Sequence, residues 1–146
     1  MEKIISINNL SIAFNKYAEV VKNVNIDIVK GKTTAIVGES GSGKTLSALS
    51  ILKLLPNGAN IKTGKITYKN KNLLELSQKE IQNIRGNKIS TIFQEPMTSL
   101  NPLHTINKQI EEIITTHNTI SKKEAKKRTI KLLNEVGLSD ISSRPK

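Results

Sequence analysis

Gly38-Glu39-Ser40-Gly41-Ser42-Gly43-Lys44-Thr45 follows the pattern G-x-x-x-x-G-K-[ST], in which each fixed position has a task around a triphosphate. The glycines let the backbone curl so that successive N–H groups point into one anion-sized hollow. Lys44 is long enough to reach β- and γ-phosphates, and the Thr45 hydroxyl is placed to ligate the Mg²⁺ that bridges them. A helix beginning at the end of the loop aims its positive dipole end at the same phosphates. The chemistry implied is the gripping of a nucleoside triphosphate.

Such a loop works only between a strand and a helix, and the flanking residues supply both. Thr33-Thr34-Ala35-Ile36-Val37 is a short β-branched run that predicts a buried strand. Leu46, Leu49, Ile51, Leu52 and Leu55 recur at roughly helical spacing, and Pro56 and Gly58 end that helix. Ahead of the loop, Lys3 to Ile7 and Leu10 to Phe14 read as two short strands separated by Asn8-Asn9. Val24, Ile26 and Ile28 alternate with Asn23, Asn25 and Asp27, the period of a half-exposed antiparallel strand. Behind it, Gly64 to Tyr68 predicts an edge strand and Lys88 to Phe93 a further strand. Ser77-Gln78-Lys79-Glu80 and Ser121-Lys122-Lys123-Glu124 are capping boxes that open helices. Between His104 and His117, Ile106, Ile110, Ile113 and Ile114 form one apolar face. Ala125, Thr129, Leu132, Leu133 and Val136 form another, stopped by Gly137. The fold class expected is α/β: a mixed sheet with an antiparallel N-terminal part and a helical appendage.

Composition narrows the field. With 146 residues the chain is about one domain long. Cysteine is absent, which excludes disulfides, thiolate metal sites and cysteine nucleophiles. No run approaches the ~18 apolar residues of a membrane span, so any membrane role is peripheral. The net charge of +11 admits a nucleic-acid reading. However, the clearest basic cluster, Lys122, Lys123, Lys126 and Lys127, lies opposite an apolar stripe and carries no aromatic residues to stack bases. It reads as a solvated face, and no nucleic acid is expected as a partner.

The loop alone does not separate transporters, GTPases, kinases and helicases; a second motif does. Gly86-Asn87-Lys88-Ile89-Ser90-Thr91-Ile92-Phe93-Gln94-Glu95-Pro96-Met97-Thr98-Ser99-Leu100-Asn101-Pro102 closely resembles the glutamine-loop region of ATP-binding-cassette (ABC) transporter ATPases. Within them it is similar to the subfamily that powers oligopeptide, dipeptide and nickel import, as is the phosphate loop with its Glu39. The resemblance runs from the N-terminal strands to Arg144-Pro145. It implies that the chain binds ATP with Mg²⁺, that Gln94 touches Mg²⁺ or the attacking water, and that the loop after Gln94 relays nucleotide state to membrane partners. Glu95 is not the family's catalytic carboxylate, which comes from a later segment. The family also stacks adenine on an early aromatic residue; Tyr17 and Phe14 are both candidates, and Tyr17 is the one taken, Phe14 reading equally as a strand core residue. His104 and His117 do not match its switch histidine.

The resemblance further implies integral membrane permease subunits, a second cassette subunit paired head-to-tail, and, indirectly, an extracytoplasmic solute-binding protein. It places the protein peripherally on the cytoplasmic face of the cell membrane. Residues 1–95 correspond to the β subdomain and phosphate-loop core, and 96–146 to the start of the helical subdomain. The family's L-S-G-G signature, the apolar run ending in Asp-Glu and the switch histidine have no counterpart here. An N-terminal portion of an ABC domain is therefore expected, hydrolysing ATP poorly or not at all alone. A catalytically dead remnant that at most binds nucleotide, and a basic nucleic-acid-dependent NTPase, are the other readings.

Overall fold

Strand β1 (Lys3–Phe14) runs unbroken through the Asn8-Asn9 step where two strands were expected. Asn9 takes a left-handed φ of 50°, and the pairing register shifts between Ile7 and Leu10. This bulge inserts a residue and moves the buried positions from Ile5 and Ile7 to Leu10 and Ile12. Side chains satisfy the backbone groups that it frees. Asn25 Oδ1 accepts the Asn9 N–H at 2.9 Å, and the Thr63 hydroxyl donates to the Asn9 carbonyl at 3.1 Å. Asparagine tolerates the left-handed region better than most residues, which is why the strand survives there.

The structure, a computed structural model, describes residues 1–15, 18–95 and 100–138. Two compact units divide it, Met1–Arg85 and Gly86–Lys146. In the first unit β1 is central. It pairs antiparallel with β2 (Ala18–Val29) on one side and with β3 (Ala59–Tyr68) on the other; the short β4 (Lys71–Asn72) then pairs with β3, giving the order β2-β1-β3-β4. The strand expected at Gly64 to Tyr68 thus begins earlier, at Ala59, and is flanked on both sides. Gly64, at φ +119°, lies under β1: a Cβ there would meet Leu10 Cα at 2.7 Å. Ile7, Leu10, Ile12, Val21 and Ile66 form the buried layer. At the sheet's outer end, Lys3 pairs with Asp27 at 2.7 Å, and the Ser6 hydroxyl donates to the same carboxylate at 2.7 Å. The Lys3 contact first, then Ser6, holds the Asp27 carboxyl below its ordinary range.

Helix α1 (Lys44–Ile51) is shorter than the apolar spacing predicts. Lys53 turns left-handed at φ 52°, and the Leu54 N–H closes back on the Leu49 carbonyl at 3.0 Å. The chain therefore leaves the helix before Pro56. After a single turn of 3₁₀ helix at Leu73–Glu75, α2 (Gln78–Ile84) opens on the expected capping box. Ser77 Oγ accepts the Glu80 N–H at 3.3 Å while the Glu80 carboxylate accepts the Ser77 N–H at 2.9 Å. The Ser77 hydroxyl and amide together hold Glu80 below the usual carboxylate range.

Two expected strands do not form. Residues 33–37, and 90–93 of the run expected from Lys88 to Phe93, belong to no strand, and Val37 and Ile92 are 91% and 95% exposed. The sheet among the described residues is purely antiparallel; these apolar runs have no neighbour to bond.

In the second unit, α3 (Ile106–His117) starts on Thr105, whose hydroxyl accepts the Lys108 N–H at 3.3 Å. It packs on α4 (Lys122–Glu135) through buried Ile114, Ala125, Thr129 and Leu133. Ile113 points away from that seam and is exposed, as are Leu132 and Val136. Ser121 Oγ caps the Glu124 N–H at 3.2 Å. Gly137 ends α4 at φ 75°, its N–H bonded to the Asn134 carbonyl and that of Leu138 to Leu133.

Candidate functional site

The phosphate loop leads directly into α1, and Gly43 is the hinge between them. It is the helix's N-cap at φ 88°, ψ 6°, and a Cβ there would strike Val21 Cγ2 at 2.6 Å and the Val20 carbonyl at 3.2 Å. Only glycine fits on both counts. Strand β2 therefore sets how closely the loop lies against the sheet.

No side chain caps the start of α1. Its first helical bond runs from the Ser47 N–H to the Gly43 carbonyl at 2.9 Å. The amides of Lys44, Thr45 and Leu46 come before that bond and have no intrahelical acceptor. Asp, Asn, Ser or Thr usually stands at the N-cap to take such donors; here the position is glycine. A bound anion can take that place, since donors and helix dipole point the same way.

Lys44 folds back over the loop. Its ammonium donates to the Gly38 carbonyl at 2.8 Å, the Glu39 carbonyl at 2.6 Å and Ser42 Oγ at 3.4 Å. The Ser42 N–H bonds the Glu39 carbonyl at 3.3 Å, closing the turn. A cation stretched across its own loop lies on the path of any anion entering the hollow. Thr45, in the first turn, is exposed. These residues fit a triphosphate with its Mg²⁺: amides without an intrahelical acceptor, an ammonium and an exposed hydroxyl at the head of the helix.

Beside the loop lies a cleft of about 290 Å³, lined by Phe14 and Val20 as well as by Gly41 to Leu46. Phe14 thus stands at the loop, where a base attached to the phosphates would need an aromatic face. Tyr17, the other candidate, lies outside the described residues. Val20 was not singled out from the sequence. Its signal was weak, one β-branched residue in an alternating strand, and only the approach of β2 to Gly43 reveals it.

Gln94 sits exposed at a bend in the second unit, with Glu95 beside it. Pro96 to Ser99, the core of the second motif, lie outside the described residues. His117 packs in its own unit, its Nε2 3.3 Å from where a Gly86 Cβ would stand.

Comparison with known proteins agrees on one family. The sequence profile described as ABC transporter matches residues 21–146. The dipeptide transport ATP-binding protein DppD of Bacillus subtilis is 45% identical over 100% of this chain and 45% of its own length. The oligopeptide transport ATP-binding protein OppD of the same organism is 45% identical over 93% of this chain and 39% of its own. The chain thus spans less than half the length of these relatives. Among solved structures, a dimeric post-hydrolysis state of the ATP-binding cassette MJ0796, bound to ADP and Pi, superposes with a TM-score of 0.73. It is 25% identical, the match covering 93% of this chain and 58% of that one. On these grounds the chain belongs to the ABC transporter family, as part of its ATP-binding domain.

Proposed function

We propose that this chain is the nucleotide-gripping portion of the ATP-binding subunit of a peptide importer. The observation that carries the reading is the uncapped start of α1, with Lys44 stretched across the loop that precedes it. The amides of Lys44 and its two successors would take phosphate oxygens. The Lys44 ammonium would leave the Gly38 and Glu39 carbonyls for the β- and γ-phosphates. Thr45, with Gln94 from the second motif, would hold the Mg²⁺, which when bound neutralises charge on the β- and γ-oxygens. Phe14 would support the base. Residues 1–95 are read as the β subdomain and loop core, and 96–146 as the start of the helical subdomain.

Peptides are the first choice of solute because the relatives named above serve dipeptide and oligopeptide transport. The partners would be membrane permease subunits and a second cassette subunit, at the cytoplasmic face of the membrane. On its own the chain would bind nucleotide yet hydrolyse it slowly, because loss of a group that orients water or stabilises charge costs ~10²-fold or more in rate.

Titration with a fluorescent ATP analogue and Mg²⁺ tests the grip. Lys44→Ala should weaken binding by about 100-fold, since a desolvated charge–phosphate contact is lost with no replacement. Unchanged affinity would refute the assignment of Lys44. A steady-state phosphate-release assay at saturating ATP tests the second half of the reading, and rapid turnover by this chain alone would overturn it.

A further inference from the structure

The far end of α1 is held by a device that the nucleotide reading does not use. Where the helix stops, Lys53 adopts a left-handed φ of 52°. That conformation is disfavoured for a non-glycine residue. One side chain takes both the Leu52 and the Lys53 carbonyls. Arg85 Nε donates to Leu52 O at 2.8 Å and Nη2 to Lys53 O at 3.0 Å. The Lys53 ammonium donates in turn to Leu76 O at 2.6 Å, in the segment between the fully buried Leu73 and Ile81. A guanidinium suits this place: its planar fork matches two adjacent carbonyls, and its charge complements the negative end of the helix.

Arg85 is also the C-cap of α2, and Gln94 follows it by nine residues in the chain. Helix α1, about 12 Å long at eight residues, has the phosphate loop at one end and Arg85 at the other. We propose that Arg85 is a positioning residue that fastens the origin of the Gln94 segment to the C-terminal end of the phosphate-loop helix. Displacement of α1 when the loop is filled is thereby passed along the chain toward Gln94. The fastening stands on the Arg85 contacts alone; only the identity of what fills the loop rests on the function proposed above.

Amide hydrogen exchange on the 146-residue chain, with and without MgATP, tests this in native protein, Arg85→Gln and Arg85→Lys. Without nucleotide, Arg85→Gln should speed exchange of the Gly86 amide, which bonds the Ile89 carbonyl at 2.9 Å, about tenfold, as expected for loss of charged hydrogen bonds. The sheet peptides 3–14 and 59–68 should keep native protection. With MgATP, protection should appear at 41–46 in both the native protein and Arg85→Gln, but extend to 86–93 only in the native protein. Arg85→Lys, which keeps the charge and loses the fork, should fall between the two.

Native exchange of the Gly86 amide in nucleotide-free Arg85→Gln would overturn the proposal, as would MgATP protection at 86–93 equal to that of the native protein. If Arg85→Gln melts the sheet, Arg85→Lys decides, and native exchange of the Gly86 amide in that variant overturns it. Absence of MgATP protection at 41–46 in the native chain would refute the nucleotide reading instead, leaving the Arg85 fastening to be decided by the nucleotide-free comparison.

Discussion

The two apolar regions of the first 95 residues behave in opposite ways. In the β2-β1-β3-β4 sheet, Ile7, Leu10, Ile12 and Ile66 are at most 2% exposed. In the runs at 33–37 and 90–93, richer still in β-branched residues, Val37 and Ile92 stand almost wholly in solvent. Composition does not separate them; partners do. Each antiparallel strand finds its neighbour within the first 72 residues, and β1 serves two at once. A near-continuous apolar run suits a strand covered on both faces, and it cannot satisfy its backbone without neighbours. Strand propensity is thus a readiness to pair, and pairing is what makes the strand.

The comparison is broken or sharpened by substitution on its two sides. Ile66→Ala, inside the sheet, should cost about 3 kcal/mol by denaturant unfolding followed by circular dichroism. A loss below about 1 kcal/mol would mean that the sheet is no better packed than the runs. Gly43→Ala joins the two regions, since it forces a methyl into Val21 and holds a left-handed φ. About 2 kcal/mol should be lost, with weaker MgATP binding, and Val21→Ala in the same chain should restore only the steric share.

Next comes acid. Glu80 and Asp27 both titrate below their ordinary values in the folded chain, so their contributions are complete above the unfolded pKa, near ~4. Stability should therefore fall as the pH drops from about 5 to 3. Ser77→Ala, costing about 1 kcal/mol at neutral pH, should flatten that slope by removing the hydrogen bonds that depress Glu80. Smallest of all, Ile92→Ala and Val37→Ala should each change stability by less than about 0.5 kcal/mol. A loss near that of Ile66→Ala would show those runs buried in solution.

The glycine turn into α1 was legible because its spacing encodes backbone geometry, and the family was legible because a second motif follows that turn. The Ser77–Glu80 box was legible because both partners are local. Other features depend on contacts that no local pattern carries. Lys3 to Ile7 and Leu10 to Phe14 looked like two strands because the Asn8-Asn9 step interrupts the alternation; a bulge absorbs that interruption only when Asn25 and Thr63 arrive from other strands. The length of α1 was overestimated because Leu55 keeps the apolar period although the backbone has already reversed at Lys53. Strand β3 starts at Ala59 because β1 offers pairing there, in a stretch whose own residues read as loop. Val20 became visible at the cleft only through the approach of β2 to Gly43.

The Lys44 ammonium has three N–H donors, and three oxygens already occupy them: the Gly38 and Glu39 carbonyls and Ser42 Oγ. Whatever enters the hollow must therefore win an exchange rather than fill a vacancy. Neutral acceptors no stronger than a peptide carbonyl gain nothing by the swap, whereas a multiply charged phosphate does. In the proposed site the lysine would act in this way as a threshold, rejecting weakly charged solutes and admitting only those anions that outbid the chain's own backbone.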